Sequence, residues 1–262
     1  MSGIYYALIV GMFVGAAAGY LGSIMVSRRM ALVGDALSHV ALPGLALGIL
    51  FGFDPFVGAF ALLAVTVIVT WYIQKTTALA MEAIIGVLFV LALAIGILIT
   101  PQVDLLEALF GDVANVTSLD AAVTILIATA IVLIARAIYG KLVLAMISGD
   151  LATSSGINVN GINLVYLLLV AAVVAIGIKE VGTLLVGAVV IVPAAAARVI
   201  SRTLREYALV SSAFGATSAI SGIAISNYVG MPAGPLVVIV GAAVFAACML
   251  AGKTLHIGKY VG

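Results

Sequence analysis

Long apolar segments that carry almost no charge follow one another along the whole chain, and they restrict the fold more than any other feature. A helix that crosses the hydrocarbon core of a bilayer needs about 20 mostly apolar residues. About nine segments reach that length, or eight if 162–199 is partly re-entrant, because Lys179 and Glu180 interrupt it only briefly. The predicted spans are 4–27, 34–53, 56–74, 82–100, 119–139, 162–178, 181–199, 208–226 and 234–252.

The composition agrees with a membrane protein. Of the 262 residues, 65% are hydrophobic and 8% are charged, whereas a soluble domain carries about 25% charged residues. The predicted fold class is therefore an all-α polytopic membrane protein, with 1–262 as a single transmembrane domain and 4–27 as its first helix rather than a removable signal. A net charge of +1 gives no reason to expect a nucleic-acid partner, and the single Cys248 offers neither a disulfide nor a cysteine-based metal site.

The basic residues predict the orientation, since Lys and Arg concentrate on the cytoplasmic side of a membrane protein. If the link 28–33 is cytoplasmic and the links alternate, every Lys and Arg except Lys179 falls on that side, and the amino terminus lies outside. The outer links then collect acidic residues, including Asp120 and those of the link 100–119, where 104–111 suits a short surface helix. We expect Lys179 to pair with Glu180 at the outer surface.

Glycines recur every fourth residue in the first two predicted spans. Gly11, Gly15 and Gly19 form one row, and a second row is formed by Gly44, Gly48 and Gly52. Rows of small residues let helix backbones approach closely in lipid. The two rows predict tight packing between the first two helices or across a dimer.

The segment 28–44 places a carboxylate and an imidazole inside an apolar stretch. Asp35 and His39 are four residues apart, so they lie on one face of a helix. A carboxylate oxygen and a neutral imidazole nitrogen are both competent ligands for a divalent transition metal. Ionisable groups in a membrane segment are costly and usually functional. The alternative is that the pair lies at the aqueous mouth of the helix and only caps or forms hydrogen bonds.

The link 140–161 is the longest of the predicted cytoplasmic links. Asp150 is expected to cap a short helix that Gly156 ends, and a short capped helix is suited to the groove of a partner protein. The chain contains no Walker pattern, no Gly-x-Ser-x-Gly elbow and no His-Glu-x-x-His motif. We therefore expect that it hydrolyses no nucleotide by itself and is not an enzyme.

Taken in order, the motifs resemble those of one family, the membrane permease subunits of zinc, manganese and iron uptake ABC transporters. The most specific is RMALVGDALSHVALPG at 29–44. The others are EAIIG at 82–86, DLL at 104–106 with LFG at 109–111, DLA at 150–152 with Gly156, VGTLLV at 181–186, PAAAAR at 193–198 and PAGP at 232–235. Each motif alone is weak, but the ordered set is specific and spans nearly the whole chain.

The resemblance implies an ABC importer permease of the vitamin B12 and metal-chelate type, in the plasma (inner) membrane of a prokaryote. It implies a homodimer around one pathway, two cytoplasmic ATPase subunits and an extracytoplasmic metal-binding protein. Asp35 and His39 would line the pathway and touch the metal, Zn²⁺ or Mn²⁺ with Fe²⁺ as a third candidate, with no permanently bound cofactor. The segment containing Asp150, Ala152 and Gly156 would be the coupling helix that contacts the ATPase.

Two copies would bring up to four oxygen and nitrogen ligands around one ion, a set that suits Zn²⁺ or Mn²⁺. Three alternatives stay open at this point. The cargo could be a metal chelate, which a wide polar pathway would favour. Transport could be driven by an ion gradient, which inverted repeats with broken helices would favour. The chain could also be an intramembrane metal enzyme using Asp35 and His39, although a third strong ligand is missing.

Overall fold

The computed structural model describes residues 2–77, 79–99, 117–183 and 185–255, and within these ranges it contains helices and no β-strand. The predicted surface helix at 104–111 lies outside the described residues. We number the helices in chain order. They are α1 (Ser2–Ser27), α2 (Ala31–Phe51), α3 (Pro55–Thr76), α4 (Met81–Ile99), α5 (Ser118–Ile147), α6 (Gly149–Ser154), α7 (Val159–Val181), α8 (Val186–Ile200), α9 (Leu204–Val229) and α10 (Ala233–Leu255).

Eight of these helices are long and apolar enough to cross a membrane, so the prediction of an all-helical multi-pass membrane protein is confirmed. The exception among the predicted spans is 181–199, where α8 begins only at Val186 and has 15 residues. At 1.5 Å per residue it is about 22 Å long, shorter than the roughly 30 Å hydrocarbon core. α8 is therefore too short to cross the core by itself, and its start lies next to the buried Thr183.

The first glycine row packs α1 directly against α9. An added Cβ at Gly15 would lie 2.8 Å from the carbonyl carbon of Gly215. Close by, the Ser211 hydroxyl donates a hydrogen bond of 2.5 Å to the carbonyl oxygen of Gly19. With backbones this close, a side-chain hydroxyl reaches a main-chain oxygen of the neighbouring helix without leaving the apolar interior.

The second row packs α2 against α3, where Gly44 faces Gly58 and Gly48 faces Pro55. The third member, Gly52, instead ends α2 in the left-handed conformation. The prediction that the two rows pack against each other or across a dimer is therefore wrong. A glycine row indicates that another backbone approaches, but it does not indicate which helix supplies that backbone.

We expect Gly15→Ala to lower stability by about 1–3 kcal/mol, the usual cost of forcing an extra methyl group into a packed site. The new methyl would meet main-chain atoms of Gly215, which cannot move aside as a side chain can. Thermal unfolding of the purified protein in detergent measures the effect. Gly86→Ala is the matched control, because an added Cβ there has no neighbour within 4 Å. Equal melting temperatures for the two variants would contradict this packing.

An ion pair joins α5 and α7 at the end of the bundle predicted to face outward. The ammonium of Lys179 lies 2.8 Å from a carboxylate oxygen of Asp120, and both side chains are partly exposed. The side chain of Glu180, the partner predicted for Lys179, lies outside the described residues, so that pairing stays a prediction. The pair is expected to contribute no more than about 1 kcal/mol, but it neutralises the one basic residue placed on the outer side.

Candidate metal site on helix α2

A tight turn joins α1 to α2 and fixes where the candidate ligands lie. The amide N–H of Met30 donates to the carbonyl of Met25 at 2.9 Å, and that of Arg29 donates to Val26 at 3.1 Å. These two hydrogen bonds form a Schellman motif, which is a common ending of an α-helix. Arg29 adopts φ = 59° to complete it, a conformation that costs a non-glycine residue roughly 1–2 kcal/mol. The turn places Asp35 about one helical turn into α2.

Asp35 lies against the beginning of α8. An added Cβ on Gly187, the second residue of α8, would lie 2.5 Å from Oδ1 of Asp35 and 2.8 Å from its Cα. The first N–H groups of a helix lack intrahelical partners, and that end of the helix carries partial positive charge. The start of α8 therefore provides a favourable electrostatic environment for an ionised carboxylate at this depth. Gly187 makes this approach possible, a role that the sequence did not reveal.

We expect Gly187→Ala to impair any function that depends on the position of Asp35. The added methyl has no room, so the carboxylate or the first turn of α8 must move. Misplacement of a functional group by about 1 Å commonly costs tenfold or more in enzymes, and we expect a loss of similar order in the rate of the transport that the resemblance implies. Transport by reconstituted protein, with Gly86→Ala as the control, measures it. Wild-type rates in the Gly187 variant would show that the position of Asp35 does not limit transport.

His39 lies one turn further along α2 and is half-buried. Its ring centroid is 5.4 Å from that of Phe89 on α4. Its Nδ1 atom is buried and has no hydrogen-bond partner among the described residues. Buried polar atoms are normally hydrogen-bonded, so this unpartnered imidazole nitrogen is a candidate ligand atom.

Pro43 supplies a feature that the sequence analysis missed. It lies inside α2, four residues after His39, and a proline has no N–H to donate to the carbonyl four residues earlier. The main-chain oxygen of His39 therefore lacks its usual helical donor. The spacing Asp35, His39, Pro43 could have revealed this carbonyl, because each step is one turn of the helix.

Asp35 and His39 lie on a side of α2 that the rest of the subunit covers incompletely. Both are half-buried, and they share this side with Leu32 and Leu50, whose exposed fractions are 74% and 54%. No group of three or more His, Cys, Asp or Glu residues that could hold a metal ion occurs in the described part of the chain. One copy thus offers two ionisable ligands on a side of α2 that the subunit itself leaves partly uncovered.

The predicted cytoplasmic helix exists as α6, which packs between α5 and α7. The prediction that Asp150 caps it is wrong, because the Ser148 hydroxyl accepts the capping hydrogen bond from the N–H of Leu151 at 3.2 Å. Ser148 has the extended backbone that a cap requires, whereas Asp150 is already in the first turn. Ala152 is fully buried, which anchors the helix.

The predicted end of this helix is confirmed at Gly156, which adopts φ = 78°. The N–H groups of Gly156 and Ile157 donate to the carbonyls of Thr153 and Ala152, both at 3.0 Å. This is again a Schellman ending. The helix presents an exposed Leu151 beside the exposed Ile147 at the end of α5. Its residues are not part of the Asp35 and His39 site, which instead involves α4 and α8.

Comparison with known proteins identifies the family. Residues 2–252 match the ABC 3 transport family. The chain is 34% identical over 245 residues to the manganese import system permease protein ScaB of Streptococcus gordonii, covering 91% of this chain and 87% of that protein. It is 30% identical over 250 residues to the high-affinity zinc uptake system membrane protein ZnuB of Haemophilus influenzae, covering 92% and 95%.

Solved structures agree. PsaBC from Streptococcus pneumoniae, solved in complex with a Fab, matches with a TM-score of 0.84 and 31% identity, covering 95% of this chain and 91% of that chain. An inward-facing ABC transporter of the metal-chelate type matches with a TM-score of 0.78, covering 94% and 85%, and its 18% identity supports the fold alone. The chain is a multi-pass membrane protein that belongs to the ABC 3 transport family.

Proposed function

We propose that this chain is the permease subunit of an ATP-driven importer of a divalent transition-metal ion, Mn²⁺ or Zn²⁺ with Fe²⁺ as a third candidate. The observation that carries the proposal is the position of Asp35 and His39 on an incompletely covered side of α2. Contact of an ionised carboxylate with lipid tails would cost at least about 2.5–3.5 kcal/mol. A water-filled conduit avoids that cost, and a conduit with carboxylate and imidazole ligands passes a cation.

Three ligand groups on α2 would bind the ion. The Asp35 carboxylate supplies charge, the unpartnered His39 imidazole supplies nitrogen, and the His39 carbonyl released by Pro43 supplies a neutral oxygen. Imidazole suits Zn²⁺, and carboxylate and carbonyl oxygens suit Mn²⁺. Only neutral imidazole binds a metal. A small ligand set suits a transporter, because an ion that is held too tightly would not be released.

Two copies of the chain would form the pathway. Both would present Asp35 and His39 toward the shared axis, so the second copy would complete the coordination and cover the exposed leucines of α2. An extracytoplasmic metal-binding protein would deliver the ion from outside. The manganese and zinc permeases that this chain resembles support the cargo class, and the likeness to PsaBC supports an assembly with further subunits.

Two ATPase subunits would dock on α6. This helix is anchored by the buried Ala152 and ends in the rigid turn at Gly156, while Leu151 and Asp150 face outward. The exposed Leu151 and Ile147 offer an apolar contact on a helix that the rest of the subunit holds firmly. Movement of an ATPase would thereby reach α5 and α7, against which α6 packs.

Reconstitution tests the proposal. Vesicles that contain this subunit, its ATPase and its binding protein should take up Mn²⁺ or Zn²⁺ only with ATP, and an imposed proton or sodium gradient should have no effect. Gradient-driven uptake without ATP would contradict the proposal. Growth of a metal-starved strain, with total cell metal measured after expression of the complex, then distinguishes manganese, zinc and iron.

Pro43→Ala tests the carbonyl ligand. The main-chain N–H of an alanine at this position would donate to the main-chain carbonyl of His39, as in a regular helix. Removal of a proline from a helix interior stabilises the helix by up to about 3 kcal/mol. We therefore expect a higher melting temperature together with slower metal uptake. Pro193→Ala makes the same change in α8 and should stabilise the protein without slowing uptake. Wild-type uptake in the Pro43 variant would remove the carbonyl from the ligand set.

A further inference from the structure

A cavity of about 790 Å³ opens between α1, α5 and α9, away from Asp35 and His39. Aliphatic side chains such as Leu209 line much of the cavity, and its polar lining comes from Tyr20, Arg136, Tyr139, Thr203, Arg205 and Ser212. The volume is far larger than the roughly 10–15 Å³ that a single water molecule requires by the same measure. Its combination of two guanidinium groups with an aliphatic wall is amphipathic.

Neither guanidinium is neutralised by the part of the chain that the structure describes. The ion pair found there joins Lys179 to Asp120, and no carboxylate lies within 4 Å of Arg136 or Arg205. The nearest acidic residue in sequence, Glu206, accepts a hydrogen bond from the main-chain N–H of Arg202 at 2.9 Å. The cavity therefore carries positive charge that an anion would balance.

The arginines lie at the depth of lipid headgroups. α5 has 30 residues, so it is about 45 Å long and exceeds the roughly 30 Å hydrocarbon core. Arg136 lies about 27 Å along α5 from Ser118, and the other end of the helix carries the exposed Asp120–Lys179 pair. Arg136 is thus near the opposite boundary of the core. Arg205 belongs to the first turn of α9, which starts at that same boundary.

Two tyrosines give the cavity a fixed shape. The rings of Tyr20 and Tyr139 have centroids 6.1 Å apart, and the Tyr139 hydroxyl donates to the carbonyl of Leu204 at 2.6 Å, which ties α5 to the start of α9. Tyrosine is enriched at membrane interfaces because it has an apolar ring and a polar end. The opening between α5 and α9 is therefore held by a hydrogen bond.

We propose that this cavity binds the headgroup of an anionic phospholipid from the cytoplasmic leaflet. Phosphate oxygens accept strong, often paired hydrogen bonds from guanidinium groups, and Arg136 and Arg205 converge on one space. The aliphatic wall accommodates the upper part of the acyl chains. Basic pockets between membrane helices on the cytoplasmic side commonly hold anionic headgroups. The site is separate from the metal pathway and does not depend on the proposed transport.

Native mass spectrometry of the protein released from nanodiscs tests the site. The probe is phosphatidylglycerol, compared with phosphatidylcholine of the same acyl chains. The wild type should retain phosphatidylglycerol preferentially. The double variant Arg136→Gln with Arg205→Gln should bind it about thirtyfold more weakly, because each basic residue near an anionic surface contributes about fivefold. Arg202→Gln changes a nearby arginine, just before α9, that does not line the cavity, and this variant should bind normally.

Further measurements separate the alternatives. Thermal unfolding must show that the double variant is folded, and Arg136→Lys with Arg205→Lys should restore most of the retention. Inorganic phosphate, which has no acyl chain, should not displace the lipid. Equal retention of both lipids by the wild type, or unchanged binding in the double variant, would overturn the proposal. A disulfide between two copies through Leu209→Cys in native membranes would also overturn it, because the cavity would then be covered by a second copy.

Discussion

Replacing either Asp35 or His39 with alanine is expected to abolish ATP-dependent metal uptake while the complex still assembles. Each substitution removes one of the two ionisable donors that a single copy offers. The residues are half-buried, so their truncation leaves most of the packing intact. The uptake of radioactive or fluorescently detected metal into vesicles measures the effect, and size-exclusion chromatography with the partner subunits measures assembly.

Conservative and remote variants make this experiment specific. Asp35→Asn keeps the shape but removes the charge, and we expect it to transport as poorly as Asp35→Ala. Asp54→Ala removes another carboxylate at the far end of α2, where Oδ1 accepts a hydrogen bond of 2.8 Å from the N–H of Phe56. Loss of that cap should cost about 1 kcal/mol of stability and leave uptake unchanged. Unaltered uptake in both the Asp35 and the His39 variants would exclude these residues from transport.

Gly156→Val is expected to uncouple ATP hydrolysis from transport. A β-branched residue strongly disfavours the left-handed conformation that Gly156 adopts at φ = 78°. The Schellman ending of α6 should therefore open, and the contact with the ATPase would lose its rigid support. We expect ATP hydrolysis to continue at a rate that no longer depends on metal and binding protein, with uptake reduced about tenfold or more, a loss typical of a disrupted conformational step. Parallel assays of phosphate release and metal uptake measure the ratio.

Gly230→Val is the matched control for the backbone strain that Gly156→Val introduces. Gly230 also ends a helix with a positive φ, 75°, and an added Cβ has no neighbour within 4 Å at either glycine. Gly230 lies in the link between α9 and α10, which the basic residues place on the outer side. The two variants should lose similar stability, but only Gly156→Val should uncouple. Normal coupling in Gly156→Val, or equal uncoupling in both, would contradict the role of α6.

Hydropathy predicted where most helices lie, because crossing a bilayer imposes a length and an apolar composition that are visible in any single segment. The second span was predicted at 34–53 and found at Ala31–Phe51. The extent of α5 was underestimated, since the predicted span 119–139 ends close to the charged Arg136 and Lys141, whereas the helix continues to Ile147. Polar and charged residues mark the end of the membrane, and a helix can continue through them into water.

The partners of each helix could not be predicted in the same way. Gly15 indicates a close contact, but the choice of Gly215 depends on how all the helices are arranged. Lys179 likewise pairs with Asp120, which lies on another helix. Both contacts join residues far apart in the chain, and no local pattern contains that information.

The candidate site was partly visible in the sequence. Asp35 and His39 could be chosen because ionisable residues are rare and costly in a membrane helix. Pro43 could also have been interpreted from its spacing, since a missing N–H follows from covalent structure alone. Gly187 could not, because its importance depends on α8 beginning beside Asp35. The cap of α6 was misassigned because Ser148 and Asp150 are both good capping residues and only the backbone distinguishes them.

The most direct test of whether α2 lines the metal pathway is anomalous X-ray scattering. Crystals of the assembled transporter would be soaked with Zn²⁺ or Mn²⁺ and trapped before the ion is released. We expect a peak about 2.0–2.2 Å from an Asp35 carboxylate oxygen and from a His39 imidazole nitrogen, the normal coordination distances for zinc. Metal found along another route, with both side chains facing lipid or closed off from any passage, would contradict the proposed pathway.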